Sequence, residues 1–375
     1  MASPHFIVEQ KSLHAVLTAM LPICSRRTTL EVTSSILFHV RHRELILKST
    51  DLEVALQASC TIEQSSIAEP LTFLVHGKRI TDIIKELEGP ITCSIENNQL
   101  SLRTQAGLVN LNLMSADQFP PFPERIENLT TMSSALMGEL LKSVSFVIPS
   151  QHTNAALTGL LWEIGSHGVT MTATDGHCLA QARSSHATVE ASHQWIVPRR
   201  AVMEIQKLID TMNEHTLFMG ICGKQLVISG EWFNFFTKVL AGPFPHYAPI
   251  LQRDSFVPAT IDRHQLVKTV RRAASLLSGQ FVAAQFLFDQ QTLHVTMHNK
   301  DVGMLSENIP LMTYDGEACE MRFYAPYLLS GLSVFQEEKV ELFLESATKP
   351  IIFESLRPTG LKLIYLVMPV AAQGA

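Results

Sequence analysis

The sequence predicts an α+β chain of three tandem domains of like fold, each with two helices packed on antiparallel sheets. Two sets of landmarks predict it. Polar pairs that close a strand recur at Thr50-Asp51, Thr174-Asp175 and His298-Asn299, with 124 residues between successive copies. Pairs of an apolar residue and proline end a later strand at Phe119-Pro120, Phe244-Pro245 and Met368-Pro369, at intervals of 125 and 124 residues. One such pair would do no more than stop a strand. Three of them in register with a second landmark mark a repeat. A period near 124 residues is far longer than the roughly 20 to 50 of solenoid units, so each copy is a whole domain.

Each copy begins with an amphipathic helix. KSLHAVLTAML places Leu13, Val16, Leu17, Met20 and Leu21 on one face; SSALMGELLKSV does so with Met137, Leu140, Leu141 and Val144; IDRHQLVKTVRRAASLL does so with Leu266, Val270, Ala273 and Leu277. Two strands joined by a tight polar turn follow, in ILFHVRHRELILKSTD, LLWEIGSHGVTMTATD and FLFDQQTLHVTMHNK. A short strand (TFLV, QWIV, MRFY) then leads into a second helix, HGKRITDIIKEL, PRRAVMEIQKLI or APYLLSGLSVF. A further pair of strands closes the copy. The stretches PPFPERIENLTT and LQRDSFVPATID mark the joints, so the expected domains are 1–127, 128–253 and 254–375.

Composition excludes several classes. The 375 residues carry a net charge of −6, which argues against a generally basic nucleic-acid coat. Six cysteines are scattered without a C-x-x-C pair or a Cys/His spacing suited to zinc, so neither a disulfide framework nor a metal is expected. No signal peptide and no apolar run of spanning length is visible, so the expectation is a soluble, cytoplasmic chain without a membrane partner.

TATDGHCLAQ, residues 172–181, sets Asp175, Gly176, His177 and Cys178 side by side. These are the parts of covalent catalysis: a thiol, a base and an orienting carboxylate. The repeat argues otherwise. Thr174-Asp175 is one copy of a phrase also present at Thr50-Asp51, and an aspartate at a strand end holds the backbone amides just ahead of it. Adjacent strand residues also face opposite ways, which denies His177 and Cys178 a shared geometry. GICGKQ lacks the spacing of a phosphate loop, and no G-x-G-x-x-G, H-E-x-x-H or G-x-S-x-G occurs, so no catalytic residue and no cofactor are expected.

Basic residues gather on the repeated helices. Pairs stand at Arg26-Arg27, Lys78-Arg79, Arg199-Arg200 and Arg271-Arg272, with Lys85, Lys142, Lys207 and Lys268 on the same segments. Any one pair suits a solvated helix face. Together they offer one positive surface to phosphates, diluted by Asp82, Glu86, Glu88 and Glu204, for weak and sequence-independent contact.

STDLE, ATDGH-x-LA, IVPRR before an apolar helix, FTKVLAGPFPHY and the terminal YLVMP together resemble the bacterial DNA polymerase III beta subunit family, the replication sliding clamps, along essentially the whole chain. The resemblance implies the clamp fold, with two chains meeting head to tail so that six domains close a ring around double-stranded DNA. It implies a non-catalytic processivity factor without cofactor, whose partners are the polymerase III alpha subunit, other proteins with a clamp-binding motif, and a clamp loader. DNA contacts fall to Arg27, Arg79, Lys142, Arg200, Lys207, Arg271 and Arg272. By resemblance a peptide pocket comprises Leu157, Thr174, Gly176, His177, Leu179, Pro245, Ile250, Ala347, Leu366, Met368, Pro369 and Val370. Val109 and Leu111 of one chain would meet Leu276 and Leu277 of the other. Cys178 and Pro249 stand where relatives have arginine. Two alternatives stay open: a divergent secondary clamp with specialised partners, and a nucleotide-dependent enzyme using TATDGHCLA as its active-site turn.

Overall fold

Each repeat opens with a strand, and the helix expected to come first follows it. The computed structural model describes residues 4–24, 30–123, 126–212, 215–278, 282–357 and 360–370. The first repeat runs β1 (His5–Glu9), α1 (Gln10–Met20), β2 (Ser35–Val40), β3 (Glu44–Thr50), β4 (Val54–Thr61), the two-residue β5 (Gln64–Ser65), β6 (Leu71–His76), α2 (Gly77–Lys85), β7 (Pro90–Glu96), β8 (Gln99–Arg103) and β9 (Leu108–Asn112). The second runs β10 (Glu127–Ser133), α3 (Ser134–Val144), β11 (Gly159–Gly165), β12 (Gly168–Thr174), β13 (Cys178–Ser184), β14 (His193–Pro198), α4 (Arg199–Met212), β15 (Thr216–Cys222), β16 (Gln225–Ser229) and β17 (Phe233–Lys238). The third runs β18 (Val257–Asp262), α5 (Arg263–Ala274), β19 (Ala284–Asp289), β20 (Thr292–Asn299), β21 (Gly303–Tyr314), β22 (Cys319–Phe323), α6 (Ala325–Leu332), β23 (Lys339–Leu344), β24 (Ile351–Leu356) and β25 (Lys362–Val367).

Local sequence accounts for these elements. In HFIVE the alternation buries Phe6 and Val8 and leaves the other three half-exposed, as a strand covered on one face requires. Helix α1 has no side-chain cap and is only 11 residues long, so its stability comes from the buried stripe of Leu13, Val16, Leu17 and Met20. Helix α5 adds a cap: Asp262 accepts from the N–H of Gln265 at 2.8 Å. Every repeat closes with three strands, one more than the sequence suggested.

The described strands form three sheets: β5-β1-β7-β8-β9, β10-β15-β16-β17-β4-β3-β2-β6, and β14-β11-β12-β13-β25-β24-β23-β18-β21-β20-β19-β22. All pairings in them are antiparallel. Two pairings cross the joints. Strand β17 lies on β4, with Phe236 opposite Ala55, and β25 lies on β13, with Leu366 opposite Leu179. The middle repeat is thereby shared between two compact units, residues 1–138 with 200–239 and residues 139–199 with 240–375. The first unit holds the five- and eight-stranded sheets, the second the twelve-stranded one. Among the described residues no helix is long and apolar enough to cross a membrane, and no group of three His, Cys, Asp or Glu side chains is placed to hold a metal.

Candidate functional site

The TATDGHCL turn joins β12 to β13 and is held by its own side chains. Asp175 Oδ1 accepts from the N–H of His177 at 2.9 Å and of Cys178 at 2.7 Å. Thr174 Oγ1 donates to the Cys178 carbonyl at 2.6 Å and accepts from the Gly176 N–H at 3.1 Å. Gly176 sits at φ +87°, which favours glycine. The carboxylate is therefore architectural, as the repeat implied. Burial pushes the Cys178 thiol up to about 12, with the Tyr365 hydrogen bond acting the other way, so no thiolate forms near neutral pH. The His177 ring is exposed and stacks on Tyr327, centroids 5.7 Å apart. A thiol shut in the interior beside an imidazole stacked at the surface is not a nucleophile and its base.

Below the turn, the second unit gathers an apolar floor. Leu179 faces Leu366 across β13 and β25, and Ile352 faces Leu366 across β24 and β25. With Ile364 they form a buried cluster, against which Tyr247, Leu251, Phe256, Phe343 and Met368 pack half-exposed. The Met368 N–H donates to the His177 carbonyl at 2.8 Å, which ties the end of β25 to the turn. Charge rims the floor. The Arg253 guanidinium lies 4.5 Å over the Phe343 ring and pairs with Glu354, which also receives Lys362 Nζ at 2.7 Å. Such a surface can bury an aliphatic or aromatic anchor and orient its backbone from the rim.

Of the twelve expected pocket residues, Thr174, Gly176, His177, Leu179, Leu366 and Met368 come together through this turn and cluster. Leu157 is buried in the short helical turn Ala155–Thr158 ahead of β11. Pro245 and Ile250 are exposed on the segment after β17, Ala347 is exposed between β23 and β24, and Pro369 is half-buried. Val370 turns elsewhere: its N–H donates to the Arg322 carbonyl at 2.7 Å. Sequence reasoning missed Tyr247, Arg253, Phe343 and Tyr327. Tyr247 lay within the quoted FTKVLAGPFPHY. Arg253 and Glu354 are too far apart in the chain for any local pattern to pair them.

The basic candidates are unequal. Arg79 on α2, Lys142 on α3 and Arg271 on α5 are exposed. Arg200 pairs with Asp51 and donates to the Pro22 carbonyl at 3.1 Å. Lys207 pairs with Glu204 at 2.9 Å, and Arg272 holds both oxygens of Glu307, whose carboxyl it keeps below the usual range. Those three arrive with a carboxylate already attached, which weakens what they offer a phosphate. Arg27 lies outside the described residues.

Comparison with known proteins decides the family. Three models of the DNA polymerase III beta subunit match in succession: its N-terminal domain over residues 4–123, its central domain over 131–246 and its C-terminal domain over 250–371. The chain belongs to the DNA polymerase III beta subunit family. A beta sliding clamp of Pseudomonas aeruginosa is 28% identical over 374 residues, 98% of this chain and 99% of that one; one of Pseudomonas putida is 27% identical over 372 residues, again 98% and 99%. The crystal structure of a Pseudomonas aeruginosa DNA polymerase III subunit beta superposes with a TM-score of 0.90 at 26% identity, covering 98% of this chain and all of that one. The function that goes with the family is that of a DNA sliding clamp, and these comparisons give the enzyme alternative no support.

The residues expected at a contact between chains lie on the edge strand β9 and just past α5. Val109 and Leu111 are half-buried on β9, alternating with exposed Leu108, Asn110 and Asn112. Leu276 and Leu277 are half-buried just past α5, and the Leu276 carbonyl accepts from Asn299 Nδ2 at 2.7 Å.

Proposed function

We propose that two copies of this chain close head to tail into a ring that encircles duplex DNA and tethers the replicative polymerase and other replication or repair proteins to it. The pairing rule of the strands carries the reading. In each repeat the opening strand's sheet ends in β9, β17 or β25, and the other sheet's last strand is β4, β13 or the Gly303–Pro310 part of β21, whose remaining residues pair with β18. Strand β4 takes β17 and β13 takes β25. By the same rule β21 should take a β9, and β9 has β8 as its one neighbour in its sheet among the described strands. A second copy supplies both missing pairings at once, which also removes two open edges.

The clamp does no chemistry and needs no cofactor in this reading; it works in the cytoplasm, where replication takes place. Its domains are 1–127, 128–253 and 254–375. Exposed Arg79, Lys142 and Arg271, together with Arg200, Lys207 and Arg272, give salt-sensitive phosphate contacts without base readout, so the ring slides. Retention comes from topology. The cluster around Leu179, Leu366 and Met368 receives a short peptide from the polymerase alpha subunit and from other partners, and a loader opens the ring.

Sedimentation at micromolar concentration should show a dimer for the natural chain and a monomer for Leu277→Asp. Loaded on a nicked circle, the dimer should stay while the circle is intact and leave once it is cut linear. A monomeric natural chain would overturn ring closure; equal loss from circle and line would overturn threading.

A further inference from the structure

The two joints inside the chain fix a register for the joint that one chain leaves open. In every repeat an amide past the closing strand reaches an edge strand: the Met114 N–H donates to the Leu74 carbonyl at 3.0 Å, Leu240 to Ile196 at 2.8 Å and Val370 to Arg322 at 2.7 Å. Four residues before that bridge stand Asn110 on β9, Phe236 on β17 and Leu366 on β25. Phe236 lies opposite Ala55, and Leu366 opposite Leu179. Across their own hairpins Ala55 faces Thr50 and Leu179 faces Thr174. At the next step of 124 residues, Met304 faces His298. The residue that Asn110 should face is therefore Met304.

Burial gives the same answer independently. On β9, exposed Leu108, Asn110 and Asn112 alternate with half-buried Val109 and Leu111; on β21, Met304, Ser306 and Asn308 are exposed, and Leu305 and Glu307 half-buried. Residues directly opposite in a ladder share a face, so a slip of one residue would set half-buried side chains against exposed ones throughout. With Asn110 at Met304, Val109 meets Leu305 and Leu108 meets Ser306. Leu108, Val302 and Met304 are 50%, 49% and 74% exposed in the single chain. In this register Met304 falls diagonally beside Leu108, where side chains of that size pack on one another.

We infer that the seam between two copies is this ladder, Asn110 opposite Met304, and that apolar and backbone contacts close it without ion pairs. The inference rests on the ring proposed above. Residues 108–112 face residues 302–306, and none of them is charged. One step further, opposite Gly107, Glu307 accepts from Arg272 and Thr269 of its own chain. A net charge of −6 on each chain sets two copies against each other at low salt. Salt screens that repulsion and leaves the burial of apolar surface intact. Raising salt should therefore release phosphate contacts without opening the ring.

The test is a disulfide across the seam of the full-length chain. Opposite residues of an antiparallel ladder have Cα atoms about 4.5 to 5.5 Å apart, a span that a disulfide accepts. Asn110→Cys with Met304→Cys, both at positions exposed in the single chain, should oxidise to a covalent dimer and to nothing longer, because a closed ring joins both seams. Asn110→Cys with Ser306→Cys, the pair of a two-residue slip, should run as single chains on a denaturing gel, as should either substitution of the first pair alone. By sedimentation from about 0.1 to about 0.5 M salt, the natural chain should keep its dissociation constant within about threefold. A dimer that fails to link Asn110→Cys with Met304→Cys, that links the slipped pair instead, or that weakens about tenfold over that range of salt would overturn the seam. A natural chain that sediments as a monomer would overturn the ring itself.

Discussion

Between β3 and β4, Asp51 Oδ1 accepts from the amides of Glu53 and Val54 at 3.0 and 2.9 Å, just as Asp175 holds His177 and Cys178 between β12 and β13. Thr50 and Thr174 each donate to the carbonyl four residues on, and the Lys238 and Met368 amides each reach back to the turn, at 3.0 and 2.8 Å. The side chains diverge. The first turn has Leu52 at φ +78°, Glu53 beside Lys238 at 3.5 Å, and Asp51 paired with Arg200. Beneath it the floor is Ala55, Val227 and Phe236, covered by Phe122 with the Lys48 ammonium 5.0 Å above its ring. The second has glycine, a histidine stacked on Tyr327, and the wider Leu179, Leu366 and Ile352 floor. Thr-Asp makes the turn in both. The side chains beyond that pair decide whether the surface is closed by charge or left apolar.

The largest test removes the floors. Phe236→Ala should cost about 3–5 kcal/mol and Leu366→Ala about 2–5 kcal/mol, as buried truncations do, read from denaturant midpoints. Under native conditions Leu366→Ala alone should weaken the short peptide, and equal weakening by both would erase the functional difference between the turns. A smaller effect comes from the carboxylates. Asp175→Ala leaves two amides without their acceptor and should cost about 1–3 kcal/mol; Asp51→Ala should cost more, because Arg200 loses its partner too. If Asp175→Ala is as stable as the natural chain, the carboxylate is not architectural. The smallest is Leu52→Gly, which relieves a left-handed leucine and should gain about 0.5–1 kcal/mol, seen as a raised thermal midpoint, whereas Gly176→Leu should lower it.

The repeat was legible because it is written in short local patterns: helix stripes such as Leu13, Val16, Leu17 and Met20, and the Thr-Asp turns. The opening strands were not, since five to seven residues such as HFIVE blend into their flanks. Half of the apolar site could be placed by resemblance, because its residues sit beside the Thr-Asp and Met-Pro landmarks. Its rim could not. Arg253 over Phe343, and Arg200 on Asp51, are pairings between residues distant in the chain, fixed by tertiary packing and invisible to any window. The same holds for Arg272, which reads as a channel cation until Glu307 is seen on it.

The middle repeat lends one sheet to β4 and the other to β25. As a gene fragment, residues 128–253 would encode a complete-looking domain that cannot live alone: both of its sheets would end in a bare strand, β17 and β13, each offering a row of unpaired amides and carbonyls. Such a piece would seek copies of itself and precipitate. The repeats are therefore separable as units of sequence but not as units of folding.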